Sequence, residues 1–261
     1  MLRYRLASAV VLIPLIIGSV IWGGLAFLAL VAVCLLIAGF EFFQMAQHAG
    51  HHPNYVVGIG LIALFLVNVF TGGAWLREIL TAALVVSLAV ALFWRSKDWI
   101  VSWGLTFVGA LYIGVLGSYF YLMRTLPDGA MWTAIVLLSA WATDSGAYIA
   151  GHRFGRHGFF TSISPKKTWE GAIGGLLAAT VAMVGFGWIV DLGLLYALGL
   201  GLGVGIAATI GDLAESVIKR QMDAKDSGAI VPGHGGMLDR MDSLLFAAVF
   251  AYYYLVWIVR V

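Results

Sequence analysis

Of the chain's 15 Lys and Arg and 13 Asp and Glu residues, ten fall between Asp212 and Asp242. Both signs are interleaved there, which neither a solvated tail nor a purely basic patch requires. Asp212, Glu215, Ser216, Lys219 and Arg220 recur at three- and four-residue spacings, so they share one face of a helix expected to run from Asp212 to Met222. Asp226-Ser227-Gly228 then breaks that helix, and Pro232-Gly233-His234-Gly235-Gly236 forms a loop whose glycines allow close backbone approach to a ligand. Asp239-Arg240-Met241-Asp242 closes the stretch. Carboxylates and cations converging on a Gly-rich loop suit a polyphosphate held with a divalent metal. Magnesium takes oxygen ligands from one or two carboxylates plus substrate phosphates, while Lys and Arg neutralise the remaining anionic oxygens. A solvated loop between membrane helices needs charge, but not this order.

Two further stretches carry polar groups where they are costly. Asp144, in Trp141-Ala-Thr-Asp-Ser-Gly-Ala-Tyr148, falls inside an apolar run, so it should face a protein interior with a partner or an ion. Packing through a hydrogen bond to Thr143 or Ser145 is the plainer alternative. Ser164-Pro165-Lys166-Lys167-Thr168 reads as a helix start, with Ser164 as N-cap and Pro165 in the first helical position. Free amides at that end, with Lys166, Lys167 and the Thr168 hydroxyl, would make a phosphate cradle. Lysines that only hold the segment at lipid headgroups are the competing reading. Glu41 reads as a plain interfacial residue at the end of an apolar run. His48, His51 and His52 have no carboxylate or cysteine nearby in sequence, so no metal role is expected of them.

The run Ser216-x-Ile218-Lys219-Arg220, then Lys225-Asp226-x-Gly228, then Pro232-x-His234-Gly-Gly-Met237-x-Asp239-Arg240-Met241-Asp242 spans 27 residues. It resembles the signature of phosphatidate cytidylyltransferases, departing at Val231, where that family usually carries Ile or Leu. Asp144-Ser-Gly-Ala-Tyr148 and Ser164-Pro-Lys-Lys-Thr-x-Glu-Gly171 are similar to two other elements of the same family. The resemblance implies transfer of the cytidylyl group of CTP to phosphatidic acid, with magnesium, giving CDP-diacylglycerol and pyrophosphate. On this reading Lys219, Arg220, Asp239, Arg240 and Asp242 carry the catalysis. Asp212, Asp239 and Asp144 hold one or two magnesium ions, with Asp242 next in line. Lys166, Lys167, Thr168, Ser216, Lys225, His234, Gly235 and Gly236 bind the substrates. A homodimer is expected from the resemblance alone.

The elements that must position these groups follow from composition. With 261 residues, 62% hydrophobic and 11% charged, the chain cannot be a soluble domain and reads as an integral membrane protein. A net charge of +2 is too small to argue for nucleic acid, and the single Cys34 in an apolar run excludes a disulfide framework. Nine apolar runs of membrane-crossing character are expected, about 6–22, 25–43, 55–71, 76–93, 101–121, 131–150, 171–190, 194–210 and 243–259. The first, preceded by Arg3 and Arg5, lacks a cleavage site and is kept as a span. The fold class is therefore all-α, a polytopic helix bundle read as a single membrane domain, with polar loops 151–170 and 211–242. An inside amino terminus puts twelve Lys and Arg on the inner side and leaves only Arg77, Arg124 and Arg260 outside. Both polar loops then face the cytosol, and the protein belongs in the cell membrane. Two other activities fit parts of the pattern: a CTP-dependent lipid-alcohol kinase, and an ion-coupled transporter using Asp144. Against the transporter, no matching pair of broken helices is apparent.

Overall fold

A chain this apolar must satisfy its backbone within each segment, and in lipid only helices or closed barrels do so. The computed structural model describes residues 2–91, 93, 98–228, 230 and 235–261, and the side chains of these except residues 2–9, 11 and 91. His234, Arg95 and Lys97 lie outside the described residues. Among those described there is no strand, and the elements are helices α1 (Leu2–Trp22), α2 (Gly24–His48), α3 (Tyr55–Phe70), α4 (Leu76–Ala91) and α5 (Trp99–Ala110). A π-helical turn, Leu111–Val115, joins α5 to α6 (Leu116–Arg124); α7 (Gly129–Phe154), α8 (Trp169–Ile189), α9 (Leu194–Gln221) and α10 (Leu238–Tyr254) follow. Among the described residues, the expected apolar runs fall on helix apart from a residue or two at their ends. Five helical rods, Gly24–His48, Trp99–Arg124, Trp169–Ile189, Leu194–Gln221 and Leu238–Val259, are long and apolar enough to cross a membrane by length and composition. The chain is an all-α, multi-pass membrane protein.

It divides into two compact units: residues 1–122 with 221–239, and residues 123–220 with 240–261. In the first unit α2, α3, α5 and the π-helical turn pack around Leu35, Phe42, Phe43, Ile62, Phe65 and Ile113, all essentially inaccessible. The α2–α3 connection is pinned by backbone donors. The His52 N–H bonds Ser102 Oγ and the Asn54 N–H bonds Thr106 Oγ1, each at 2.9 Å. The Asn54 side chain caps α3 by accepting from the Val57 N–H at 3.0 Å.

In the second unit α7 pairs extensively with α8. Small residues make it possible, because apolar bulk drives no association between helices in lipid, whereas close backbone approach does. A methyl group on Gly146 would come within 2.7 Å of the Gly174 carbonyl oxygen, and one on Gly175 within 2.7 Å of the Thr143 oxygen. The hydroxyls of Thr143, Thr180 and Thr209 bond the carbonyl four residues back, which satisfies them inside the helix.

Candidate active site

The charged groups of the second unit gather on α7, α9, α10 and the segment before α8. Asp212 on α9 pairs with Lys167, Oδ2 to Nζ at 2.7 Å. Asp144 on α7 lies in the electrostatic field of Asp212, Arg240 and Lys167. Asp242, buried on α10, lies in the fields of Asp212, Asp144 and Lys219, and its Oδ1 accepts from the Ser243 N–H at 2.6 Å and from the Ser243 hydroxyl at 3.1 Å. Lys219 in turn pairs with fully buried Glu215 one turn away. Asp144, Asp212 and Asp242 thus repel one another, and Lys167, Arg240 and Lys219, the last also paired with Glu215, offset that repulsion. Close approach of α9 to α10 helps to bring them there: a methyl on Gly211 would strike the Asp242 carbonyl and come within 3.1 Å of Phe246.

Lys167 is presented by a short knot rather than by a helix start. The expected cap, Ser164 with Pro165 at the first helical position, is corrected: α8 begins at Trp169, and its N-cap is Thr168, whose hydroxyl accepts from the Gly171 N–H at 3.1 Å. The reason is local. The Lys167 N–H bonds the Ser164 carbonyl at 3.1 Å, closing a turn around Pro165 and Lys166, the place a turn favours for proline. The Phe159 N–H bonds the Lys167 carbonyl at 2.8 Å and the Trp169 N–H bonds the His157 carbonyl at 2.9 Å, so these backbones are spent on an antiparallel tie. Glu170 locks the knot by accepting from the Arg156 and His157 N–H groups and by bonding His157 Nδ1 at 2.6 Å. The Arg220 Nε–H bonds the Ile163 carbonyl at 3.1 Å, while the Lys166 side chain is exposed.

The first unit holds a separate polar knot. Helix α9 ends at Gln221, one residue before the expected end at Met222, with Asp223 in the left-handed region at φ 51°. Beyond it the Ser227 and Gly236 N–H groups both donate to Asp239 Oδ2 at 3.0 Å, and the Asp239 N–H donates to Ser227 Oγ at 3.2 Å. Gly235, at φ 85°, adopts backbone torsions that a side chain disfavours. Glu41 corrects its interfacial reading. It is 0% exposed, and its Oε2 accepts from the Leu238 N–H at 2.9 Å and from the Ser227 hydroxyl at 3.1 Å. The signal was a carboxylate inside an apolar run, the same signal that singled out Asp144. Ser216 sits partly buried on α9, and Lys225 is exposed.

The structure thus brings Asp144, Asp212, Asp242, Lys167, Lys219 and Arg240 together in the second unit and places Asp239 and Gly236 in the first. Oxygen donors alternating with cations fit a hard cation and anionic phosphates. Among the described residues no group of three His, Cys, Asp or Glu stands ready to enclose a metal ion.

Fold and site together define an all-α membrane protein in which carboxylates and cations are paired among apolar helices. Residues 3–258 match the model of the cytidylyltransferase family, and the chain belongs to that family of nucleotidyltransferase enzymes. It is 32% identical to the phosphatidate cytidylyltransferase of Bacillus subtilis, covering 97% of each chain. It is also 32% identical to that of Synechocystis, covering 98% of this chain and 97% of the relative. The Staphylococcus aureus enzyme of the same name is 30% identical, over 94% of this chain and 95% of its own.

Proposed function

We propose that this chain transfers the cytidylyl group of CTP to phosphatidic acid, releasing pyrophosphate and leaving CDP-diacylglycerol in the membrane. What carries the reading is the Lys167–Asp212 pair at 2.7 Å, set among Asp144, Asp242, Lys219 and Arg240 in a chain that is only 11% charged. A phosphate oxygen of the lipid attacks the α-phosphorus of CTP. The new P–O bond forms as the α–β anhydride bond breaks, and its electron pair leaves with pyrophosphate. The attacking oxygen is already ionised, so the chain needs no strong general base. Its task is to hold two anions in line and to neutralise charge.

Lys167, Lys219, Arg220 and Arg240 are the groups we assign to the phosphates. Lys166, Thr168, Ser216, Lys225, His234, Gly235 and Gly236 are the groups we assign to substrate binding. Magnesium, when bound, would supply Lewis-acid neutralisation of phosphate oxygens. Within the second unit Asp144 and Asp212 are the proposed ligands, with Asp242 beside them; within the first, Asp239 is the proposed ligand of a magnesium ion. We further propose that the amino terminus and both polar loops face the cytosol, where CTP is available, and that phosphatidic acid enters from the inner leaflet.

Incubating the purified protein with phosphatidic acid and CTP labelled at the α or the γ position tests the reaction. Label passing from the α position into lipid is expected. Label from γ would instead define a kinase, and the absence of labelled lipid would overturn both.

A further inference from the structure

We propose that Glu41 is a positioning residue for the reaction: from inside α2 it fixes Ser227 and the first turn of α10, and through them the orientation of the Asp239 carboxylate. The kinetic part of this proposal rests on the function given above. The first unit alone supplies the geometry.

Glu41 is fully buried, and every helix residue before it, from Gly24 to Phe40, is apolar. Burying a carboxylate is costly, and an apolar side chain would fill the same space without that cost. The cost is offset in part by bonds from Oε2 to segments 186 and 197 residues away in sequence. Oε2 takes the Leu238 N–H at 2.9 Å, one of the first-turn amides of α10 that have no partner within the helix. A negative group at that end also complements the helix dipole. The same oxygen takes the Ser227 hydroxyl at 3.1 Å. Ser227 is the relay: its Oγ accepts from the Asp239 N–H at 3.2 Å, and its own N–H donates to Asp239 Oδ2 at 3.0 Å. The Gly236 N–H completes the ring on that oxygen at 3.0 Å.

The fit is tight enough to demand glycine. A methyl on Gly236 would come within 2.7 Å of Glu41 Oε2 and within 2.7 Å of the Gly228 nitrogen, and one on Gly228 would strike Glu41 Oε1. Gly228 and Gly236 therefore admit the Glu41 carboxylate, whatever else they do for a ligand. A fully buried side chain in α2 thus decides where Asp239 points.

The test uses the full chain in lipid–detergent micelles, as Glu41→Leu, Glu41→Gln, Ser227→Ala and the Glu41→Leu/Ser227→Ala double variant. Thermal stability, kcat, KM for CTP, and the rate of tryptic cleavage after exposed Lys225 are measured, the cut being located by mass spectrometry. Glu41→Leu and Ser227→Ala should lower kcat on the order of a hundredfold, the scale for ångström misplacement of a reacting group, with KM for CTP little changed. Glu41→Gln, which keeps an acceptor for Leu238 and Ser227, should recover most of the rate. The double variant should be no worse than the more damaging single, because both remove one relay. Cleavage after Lys225 should quicken in Glu41→Leu.

Losses that multiply in the double variant, or a folded Glu41→Leu protein with normal kcat, overturn the proposal. Should Glu41→Leu fail to insert, Ser227→Ala and Glu41→Gln decide the same point. A wild-type protein that makes no CDP-diacylglycerol would refute the assigned reaction instead. Cleavage after Lys225 still judges Glu41 in that case, and no acceleration in Glu41→Leu overturns its role.

Discussion

Replacing Asp239 by Asn separates loop architecture from chemistry. Asp239 Oδ2 accepts two backbone N–H groups, from Ser227 and Gly236, each at 3.0 Å. An Asn carbonyl can accept the same two, so the loop keeps its shape and loses only the charge. A hydrogen bond to a charged group contributes roughly 1.5–3 kcal/mol and a neutral one roughly 0.5–1.5. Two such bonds therefore weaken by about 2 kcal/mol in all, a cost the folded protein should survive with a modestly lower melting temperature. The loss in rate should be far larger. A carboxylate that neutralises phosphate through magnesium supplies several kcal/mol of transition-state stabilisation, on the order of a thousandfold in kcat. The assay is α-labelled CTP with phosphatidic acid across a magnesium titration, beside a thermal melt in the same micelles. Near-normal turnover at saturating magnesium, with the melt lowered by the expected amount, would refute the reasoning: Asp239 would then be a loop tie and nothing more.

Three other outcomes are expected. Lys167→Ala should weaken substrate binding by roughly 1.5–3 kcal/mol, the range for a charged hydrogen bond, with little change in the melt; unchanged kinetics for CTP and phosphatidic acid would leave Lys167 only its pair with Asp212. Thr168→Ala should cost about 1 kcal/mol of stability through the lost cap of α8, and Thr168→Ser should restore it; a melt that does not move in Thr168→Ala contradicts the capping role. Single cysteines introduced at positions 166 and 226, in a protein whose Cys34 is replaced by Ala, should both react with a membrane-impermeant thiol reagent only from the cytosolic side. Labelling of either from the other side would overturn the proposed orientation.

Much was legible before any coordinates. Apolar runs separated by Gly-Gly pairs and charged stretches mark the helices, because a lipid-facing backbone has no alternative to helix and each span needs a set length. The density and order of charge from Asp212 to Asp242 mark the chemistry, because charges in so apolar a chain are too costly to keep without use. Spacing also placed Asp212, Glu215, Lys219 and Arg220 on one helix face, and α9 carries them there. What sequence could not decide depends on residues far apart in the chain. That Lys167 meets Asp212 follows from a knot of backbone hydrogen bonds around Pro165, which competes with the helix start the same residues advertise. That Glu41 is buried against Ser227 and Leu238 depends on pairings across nearly 200 residues, which no local pattern encodes. A carboxylate at a helix end looks the same in sequence whether it faces water or anchors a loop. Only packing settles it, because burial and partners are properties of the folded chain and not of the residue.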